Sequence, residues 1–240
     1  MSITKEQRSL GMHYDYDDHT PVTDAEYVKL MKADWDARSN SGKVELYINN
    51  QEGATKKEIR ETGLVHFENT FLPTFNENNK VTKPVVLEYG CGIGRMTWHI
   101  KKVASKLLAV DISKENIKKC VAGLPKRNNV KAMVVSGMDL SPVEDSSVDY
   151  IFSTMVFQHI GSETVISNIL EEMNRVLKED GVMHLQFRDM PIPDNNIAGN
   201  TWHGAQIGAE FIEKFFNLHE YTNLKCEGHG TESFWVTLIK

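Results

Sequence analysis

The feature that most constrains the fold is a short stretch, residues 85–96, in which an apolar run, an acid and three closely spaced glycines follow one another. The apolar residues before Glu88 predict a buried strand, and Gly90, Gly92 and Gly94 predict a tight loop after it. Glycines let such a loop bring its backbone into contact with a ligand. The helix predicted next would direct unpaired N–H groups to the same place. The stretch therefore predicts a ligand-binding strand–loop–helix unit.

The spacing of the glycines indicates which ligand this loop suits. A dinucleotide-binding loop has the pattern Gly-x-Gly-x-x-Gly, whereas here the third glycine comes one residue early and Arg95 occupies its position. Glu88, at the end of the predicted strand, would repel a pyrophosphate but suits a cationic or hydroxyl-rich ligand. The loop therefore favours a ligand other than a dinucleotide.

From residue 83 onward, predicted strands and helices alternate, which is the pattern of a parallel sheet with crossover helices. Ligands in such sheets bind at the carboxyl ends of the strands, where Glu88, Asp111, residues 137–139 and Thr154 would meet. Asp111 could accept hydrogen bonds from both hydroxyls of a ribose, or it could cap the helix that follows. The strands are predicted at 85–89, 106–110, 130–136, 148–154, 182–187, 221–226 and 234–239. The helices are predicted at about 95–103, 113–122 and 209–216, with a further long amphipathic helix whose apolar stripe runs from Val165 to Leu177 and which ends at Asp180-Gly181.

The N-terminal third is predicted to be helical. Capping boxes begin at Thr23 and Thr55, so we expect helices to about residues 37 and 75. These helices would either pack on the sheet edge or form a lid, with Tyr14 or Tyr16 touching a ligand. We expect residues 1–80 to form a helical cap and residues 81–240 the α/β core, with an insert at about 189–206 on the substrate side.

The composition limits the classes of binding partner that we expect. The chain of 240 residues has a net charge of −6 and no long apolar run, so we expect neither nucleic-acid nor membrane binding. The three cysteines, Cys91, Cys120 and Cys226, lack metal-ligand spacing. We therefore expect no metal, free thiols and a cytoplasmic location. The oligomeric state is left open.

Taken together, the segments resemble the class I S-adenosylmethionine (AdoMet)-dependent methyltransferases over about residues 83–188. The resemblance implies a doubly wound, mostly parallel seven-stranded α/β sheet with an antiparallel C-terminal hairpin, AdoMet as cofactor and S-adenosylhomocysteine (AdoHcy) as product. Residues 88–94 match motif I with Glu-x-Gly-x-Gly-x-Gly, and 108–113 match motif II. The further matching segments are 135–140, 147–153, 156–160 and 172–181.

The resemblance also implies roles for single residues. Glu88 and Gly90 would face the methionine part of the cofactor, Gly92 would allow close backbone approach, Asp111 would hold the ribose and Ile112 would pack on adenine. The family's Gly-Asp-Ala is replaced here by Gly137-Met138-Asp139, so the acid is displaced by at least one residue. The predicted cofactor-binding set is Glu88, Gly90, Cys91, Gly92, Arg95, Asp111, Ile112, Met138, Asp139 and Thr154.

Catalysis in such a protein could use a general base, for which His159 and His203 are the candidates. His159 could equally be a histidine that hydrogen-bonds loop backbone near the cofactor. Arg188 could bind a charged substrate group or form a surface ion pair. The predicted substrate-binding set is Tyr14, Tyr16, Trp202 and Arg188.

The sequence thus predicts methyl transfer to an O or N atom of a small molecule. The alternatives are an NAD-dependent oxidoreductase, a non-catalytic AdoMet or AdoHcy binder, and a protein methyltransferase.

Overall fold

The computed structural model describes residues 23–49, 52–124, 129–191, 201–202, 204–219 and 221–240. Within these residues, seven strands, numbered in chain order, form one sheet in the order β3-β2-β1-β4-β5-β7-β6. Strands β1 to β5 are parallel, and β7 is antiparallel to both of its neighbours. The predicted fold class is confirmed. The strands are β1 Val85–Tyr89, β2 Lys106–Asp111, β3 Val130–Val134, β4 Val148–Ser153, β5 Leu177–Phe187, β6 Asn223–Glu227 and β7 Phe234–Ile239.

The helices surround this sheet, and both predicted capping boxes form, at Thr23 and at Thr55. The helix from Thr23 runs three residues past its predicted end at residue 37. The second predicted helix is two helices, Lys56–His66 and Leu72–Asn78, joined by a π-helical turn over Phe67–Phe71. The helices are α1 Asp24–Asn40, α2 Val44–Asn49, α3 Lys56–His66, α4 Leu72–Asn78, α5 Thr97–Ile100, α6 Lys114–Gly123, α7 Glu163–Val176 and α8 Ala209–Leu218.

The junction between α7 and β5 differs from the prediction, which ended the helix at Asp180-Gly181. The helix ends at Val176, and Leu177 already has extended backbone and pairs with Val148 of β4. The register then shifts before Tyr150 pairs with Val182, and Asp180 in between has a φ of +61°. The Asp-Gly pair therefore makes an irregularity within a long strand. The helix predicted at 95–103 is likewise shorter, because only the four residues of α5 are helical.

The N-terminal helices pack on both faces of the sheet. On one face, Tyr27, Val28 and Met31 of α1 join a core built with the apolar stripe of α7. On the other face, Phe71 of the π-helical turn meets two aromatic residues of β4 edge-on, with ring centroids 5.4 Å from Tyr150 and 5.1 Å from Phe152. These helices are thus held by the same two apolar layers that bury the sheet.

None of the helices in the described ranges is both long enough and apolar enough to cross a membrane.

Candidate functional site

A cavity of about 850 Å³, partly open to solvent, lies at the carboxyl ends of β1, β2 and β4. Eight of the ten predicted cofactor-binding residues line it: Glu88, Gly90, Cys91, Gly92, Arg95, Asp111, Ile112 and Thr154. The fold thus brings these eight predicted residues together around one cavity.

The glycine loop closes against β2 and against the segment after β4. The backbone N–H groups of Gly90 and Cys91 both donate to the Val110 carbonyl, at 2.8 and 2.9 Å. Gly90 has a φ of +73°, and a Cβ there would lie 2.2 Å from Cγ2 of Val156. Only glycine fits at this position, and the loop backbone forms the floor of the cavity as a result.

Asp111, at the end of β2, is held in place by three donors. Its Oδ2 accepts from the Gly92 N–H at 2.8 Å, and its Oδ1 accepts from the Ser113 N–H at 2.8 Å and from Asn116 Nδ2 at 3.4 Å. Ser113, and not Asp111, is the N-cap of α6. Burial raises the pKa of Asp111, while the hydrogen bonds from Ser113 and Gly92 counteract it.

A second buried polar atom belongs to the same wall. Asn116 Oδ1 has no hydrogen-bond partner among the described residues, although its side chain lines the cavity. Buried acceptors are normally satisfied, so this oxygen and the remaining lone pairs of Asp111 fit a ligand that donates hydrogen bonds, such as the hydroxyls of a ribose.

Glu88 and Arg95 place one carboxyl group and one guanidinium cation at the glycine-loop end of the cavity. Glu88 accepts from the Thr97 hydroxyl at 2.6 Å, and burial raises its pKa to about 8. Arg95 donates to the Thr62 carbonyl at 3.4 Å and lies 3.3 Å from His66 Nδ1. Within the described ranges, no carboxylate lies within 4.0 Å of the Arg95 guanidinium. A buried cation and a buried acid at one end of a cavity suit the two ends of an amino acid.

His159 lies at the other end of the cavity, in the 3₁₀ turn Phe157–His159 after β4. Its Nδ1 is 2.5 Å from the Trp202 carbonyl oxygen. Because a carbonyl can only accept, Nδ1 carries the proton and Nε2 is left with a lone pair. The Gln158 amide nitrogen lies 3.3 Å from that Nε2. In this tautomer the Gln158 amide donates to the Nε2 lone pair, so Nε2 can act as a base only when that amide gives way to an acceptor.

Aromatic and sulfur-containing side chains that were not predicted from the sequence form the wall near His159. Trp35 of α1 meets the His159 ring edge-on at 5.3 Å between centroids. Met31, Tyr47 and Met155 also line the cavity. Met31 and Trp35 are four residues apart, so the sequence could have shown that they share one face of the helix. Nothing in the sequence indicated that this face lies over the glycine loop.

Some predicted site residues lie elsewhere. Met138 and Asp139 are not among the residues that line the cavity. The Asp139 carboxylate instead accepts hydrogen bonds within its own turn, from the Ser136 hydroxyl at 2.6 Å and the Ser141 N–H at 3.0 Å. Arg188 forms an ion pair of 3.1 Å with Glu232, as one alternative predicted. Trp202 packs on His159, with 4.9 Å between ring centroids. Tyr14, Tyr16 and His203 are outside the described residues.

The chain matches known methyltransferases in sequence. Residues 87–185 match the family model described as a methyltransferase domain. The phosphoethanolamine N-methyltransferase of Triticum aestivum is 36% identical over 106 residues, which is 43% of this chain and 20% of that protein. The malonyl-[acyl-carrier protein] O-methyltransferase of Hamiltonella defensa is 28% identical over 103 residues, covering 43% of this chain and 37% of that protein. The chain thus spans about a fifth and over a third of the length of these two relatives.

Solved structures share the fold. Haemonchus contortus phosphoethanolamine N-methyltransferase 1, in complex with phosphoethanolamine and AdoHcy, has a TM-score of 0.61 at 16% identity, over 91% of this chain and 50% of that one. Magnesium protoporphyrin IX methyltransferase from Synechocystis PCC 6803 with bound AdoHcy has a TM-score of 0.64 at 12% identity, over 88% and 99%.

The alternative of an NAD-dependent oxidoreductase is set aside by these matches, since the glycine loop, the acid after β2 and the segment after β4 all fall within the matched methyltransferase domain. The resemblance seen in the sequence is confirmed, and with it AdoMet as the family's cofactor. Residues 87–185 thus match the methyltransferase domain family, and the chain shares its fold with solved methyltransferase structures.

Proposed function

We propose that this chain transfers the methyl group of AdoMet to an oxygen or nitrogen atom of a small-molecule acceptor. One observation carries the proposal: a single cavity joins a glycine loop flanked by two buried acids to a histidine whose Nε2 has a lone pair. The first part suits the cofactor and the second suits an acceptor.

The chain's residues at the loop end match the chemical groups of AdoMet one by one. Asp111 and Asn116 Oδ1 would accept from the ribose hydroxyls, and Ile112 offers an apolar surface for adenine. Glu88 would face the α-ammonium group and Arg95 the α-carboxylate. When bound, AdoMet supplies a methyl group already activated on a sulfonium.

His159 would take the proton of the acceptor. Its Nε2 can accept that proton, while the Nδ1–H donates to the Trp202 carbonyl and so stabilises the imidazolium that forms. Trp35 and Tyr47 would exclude water and hold the acceptor in line with the methyl group. A hydroxyl needs such a base more than a neutral amine does, so this arrangement favours an O acceptor while an N acceptor stays within the proposal.

The named relatives act on different acceptors, phosphoethanolamine and malonyl-acyl-carrier protein, so they do not select one for this chain. The cytoplasmic location, the absence of nucleic-acid partners and the cap, core and insert boundaries remain predictions.

The test combines binding and transfer. Calorimetry would measure AdoHcy binding, and radiolabelled AdoMet would be offered with phenols, small amines and phosphoethanolamine. We expect His159→Ala to lower turnover at least tenfold while changing AdoHcy affinity much less, and we expect the exposed His229→Ala to change neither. AdoHcy binding without transfer to any small molecule or protein would favour the non-catalytic alternative, and transfer only to proteins would favour a protein methyltransferase. No AdoHcy binding at all would refute the proposal.

A further inference from the structure

A buried ion pair on α1 lies behind the aromatic wall of the cavity. Arg38 Nη2 is 2.6 Å from Asp34 Oδ2, and the two side chains are only 2% and 1% exposed. The guanidinium stacks over Trp35 at 4.7 Å and over Trp202 at 5.3 Å from the ring centroids. Neither charged residue lines the cavity itself, so any influence on the reaction has to pass through a neighbour.

That neighbour is the segment at residues 201–202. Arg38 Nη2 donates to the Thr201 hydroxyl oxygen at 3.1 Å, and Nη1 donates to the Thr201 carbonyl at 3.3 Å. The Thr201 hydroxyl in turn donates to Asp34. Arg38, Asp34 and Thr201 therefore form a closed ring of hydrogen bonds, which we term the α1 latch.

The α1 latch ends one residue before the carbonyl that orients the histidine. Thr201 is followed by Trp202, whose carbonyl accepts from His159 Nδ1 at 2.5 Å. Beyond it, the Gly204 N–H donates to the Gln158 carbonyl at 2.5 Å. A Cβ on Gly204 would lie 2.5 Å from the Phe157 carbonyl oxygen, so the chain passes very close to the 3₁₀ turn here. The Trp202 carbonyl is thus fixed from both sides.

Stability alone explains such a latch poorly. Removing two charges from water costs free energy, and a buried ion pair can often be replaced by apolar side chains without loss of stability. A planar guanidinium with several fixed donors does, however, set the position of a backbone segment more sharply than apolar contacts do.

We propose that Arg38, Asp34 and Thr201 are positioning residues that hold the Trp202 carbonyl against His159 and thereby keep the imidazole in the tautomer with an unprotonated Nε2. The importance of this tautomer for catalysis rests on the proposed function, but the tautomer itself can be measured without any methyl acceptor. Loss of the latch would let the imidazole take the other tautomer, in which Nε2 carries the proton and cannot act as a base.

The experiment is long-range ¹H–¹⁵N NMR of the His159 ring in the full chain. In the wild type we expect the neutral ring to show the Nδ1–H tautomer alone. The double variant Asp34→Leu/Arg38→Met removes both charges together, so that no single buried charge is left behind. We expect it to show a mixture of tautomers while its AdoHcy affinity stays within threefold of the wild type. Lys57→Met/Glu61→Leu removes an exposed ion pair with the same four-residue spacing on α3 and should leave the spectrum unchanged.

A second pair of variants decides the matter if the double variant does not fold. Thr201→Val removes the hydroxyl at nearly constant volume and should give the tautomer mixture, whereas Thr201→Ser keeps the hydroxyl and should give the wild-type spectrum. A folded Thr201→Val or double variant that keeps the Nδ1–H tautomer alone would overturn the positioning role. Failure of the proposed function would appear separately, as a wild type that does not bind AdoHcy.

Discussion

Replacing Glu88 by glutamine should make the cofactor-free protein more stable and its cofactor binding weaker. Glu88 lies at the end of β1, is 4% exposed and accepts from the Thr97 hydroxyl. Burial disfavours its charged form and raises its pKa to about 8. Glutamine has nearly the same shape, can accept the same hydrogen bond and carries no charge to bury.

The size of the stabilisation follows from linkage. A carboxyl whose folded-state pKa is above its unfolded value contributes stability that is complete below the unfolded value and is lost as the pH rises to the folded value. The ordinary pKa is 4.5, so pH 7 lies about 2.5 units above it. At about 1.4 kcal/mol per unit, the wild type loses about 3 kcal/mol of stability by pH 7 and less than about 1 kcal/mol by pH 5.

Urea unfolding of the cofactor-free wild type and Glu88→Gln, at pH 5 and at pH 7, checks this reasoning. We expect the variant to gain up to about 3 kcal/mol at pH 7 and under about 1 kcal/mol at pH 5. Glu172→Gln is a matched control of opposite sign, because the hydrogen bond from Arg175 lowers the pKa of Glu172, and it should destabilise at pH 7. Equal stability of Glu88→Gln and the wild type at both pH values would refute the buried-acid argument.

Three further expectations concern the same cavity. Glu88→Gln should weaken AdoHcy binding at pH 8, measured by calorimetry, because the carboxylate that would face the ammonium is gone; unchanged affinity would move that group elsewhere. Asp111→Ala should cost about 1.5–3 kcal/mol of AdoHcy affinity, the range for hydrogen bonds to a charged group, and an unaffected titration would remove Asp111 from the site. Met155 has a φ of +57°, so Met155→Val should lower the urea midpoint through strain of about 1–3 kcal/mol, whereas Met155→Gly should not; equal midpoints would show that the segment relaxes.

The fold was predictable where local sequence rules and tertiary structure agree. The capping boxes at Thr23 and Thr55 marked both helix starts because each satisfies its own orphan backbone groups within four residues. The meeting of Gly90 and Asp111 at one cavity was predictable for a related reason. A parallel strand ends at one defined edge of the sheet, so the residues that follow β1 and β2 must meet there.

The prediction was wrong where a local signal had two structural outcomes. Asp180-Gly181 is a common helix stop, but here the helix ends four residues before Asp180, and Leu177 is already a buried strand residue beside β4. The positive φ of Asp180 then serves a strand irregularity instead of a helix end. Periodicity could not separate these cases, because Leu177 fits both the apolar stripe of α7 and a buried strand position.

The part of the cavity wall that α1 contributes near His159 could not be predicted, because polar contacts between distant segments place it. Helix α1 has little amphipathic pattern that would fix its orientation, yet it is anchored at several points to the start of α6. Asp36 accepts from the Ser113 hydroxyl at 2.6 Å and from the Glu115 N–H at 3.2 Å, and Lys32 donates to the Ile112 carbonyl at 3.1 Å. These contacts turn Trp35, which lies between them in sequence, towards His159. The segment that would hold the ribose and adenine therefore also positions the wall that would face the acceptor, which links the two ends of the cavity through one helix.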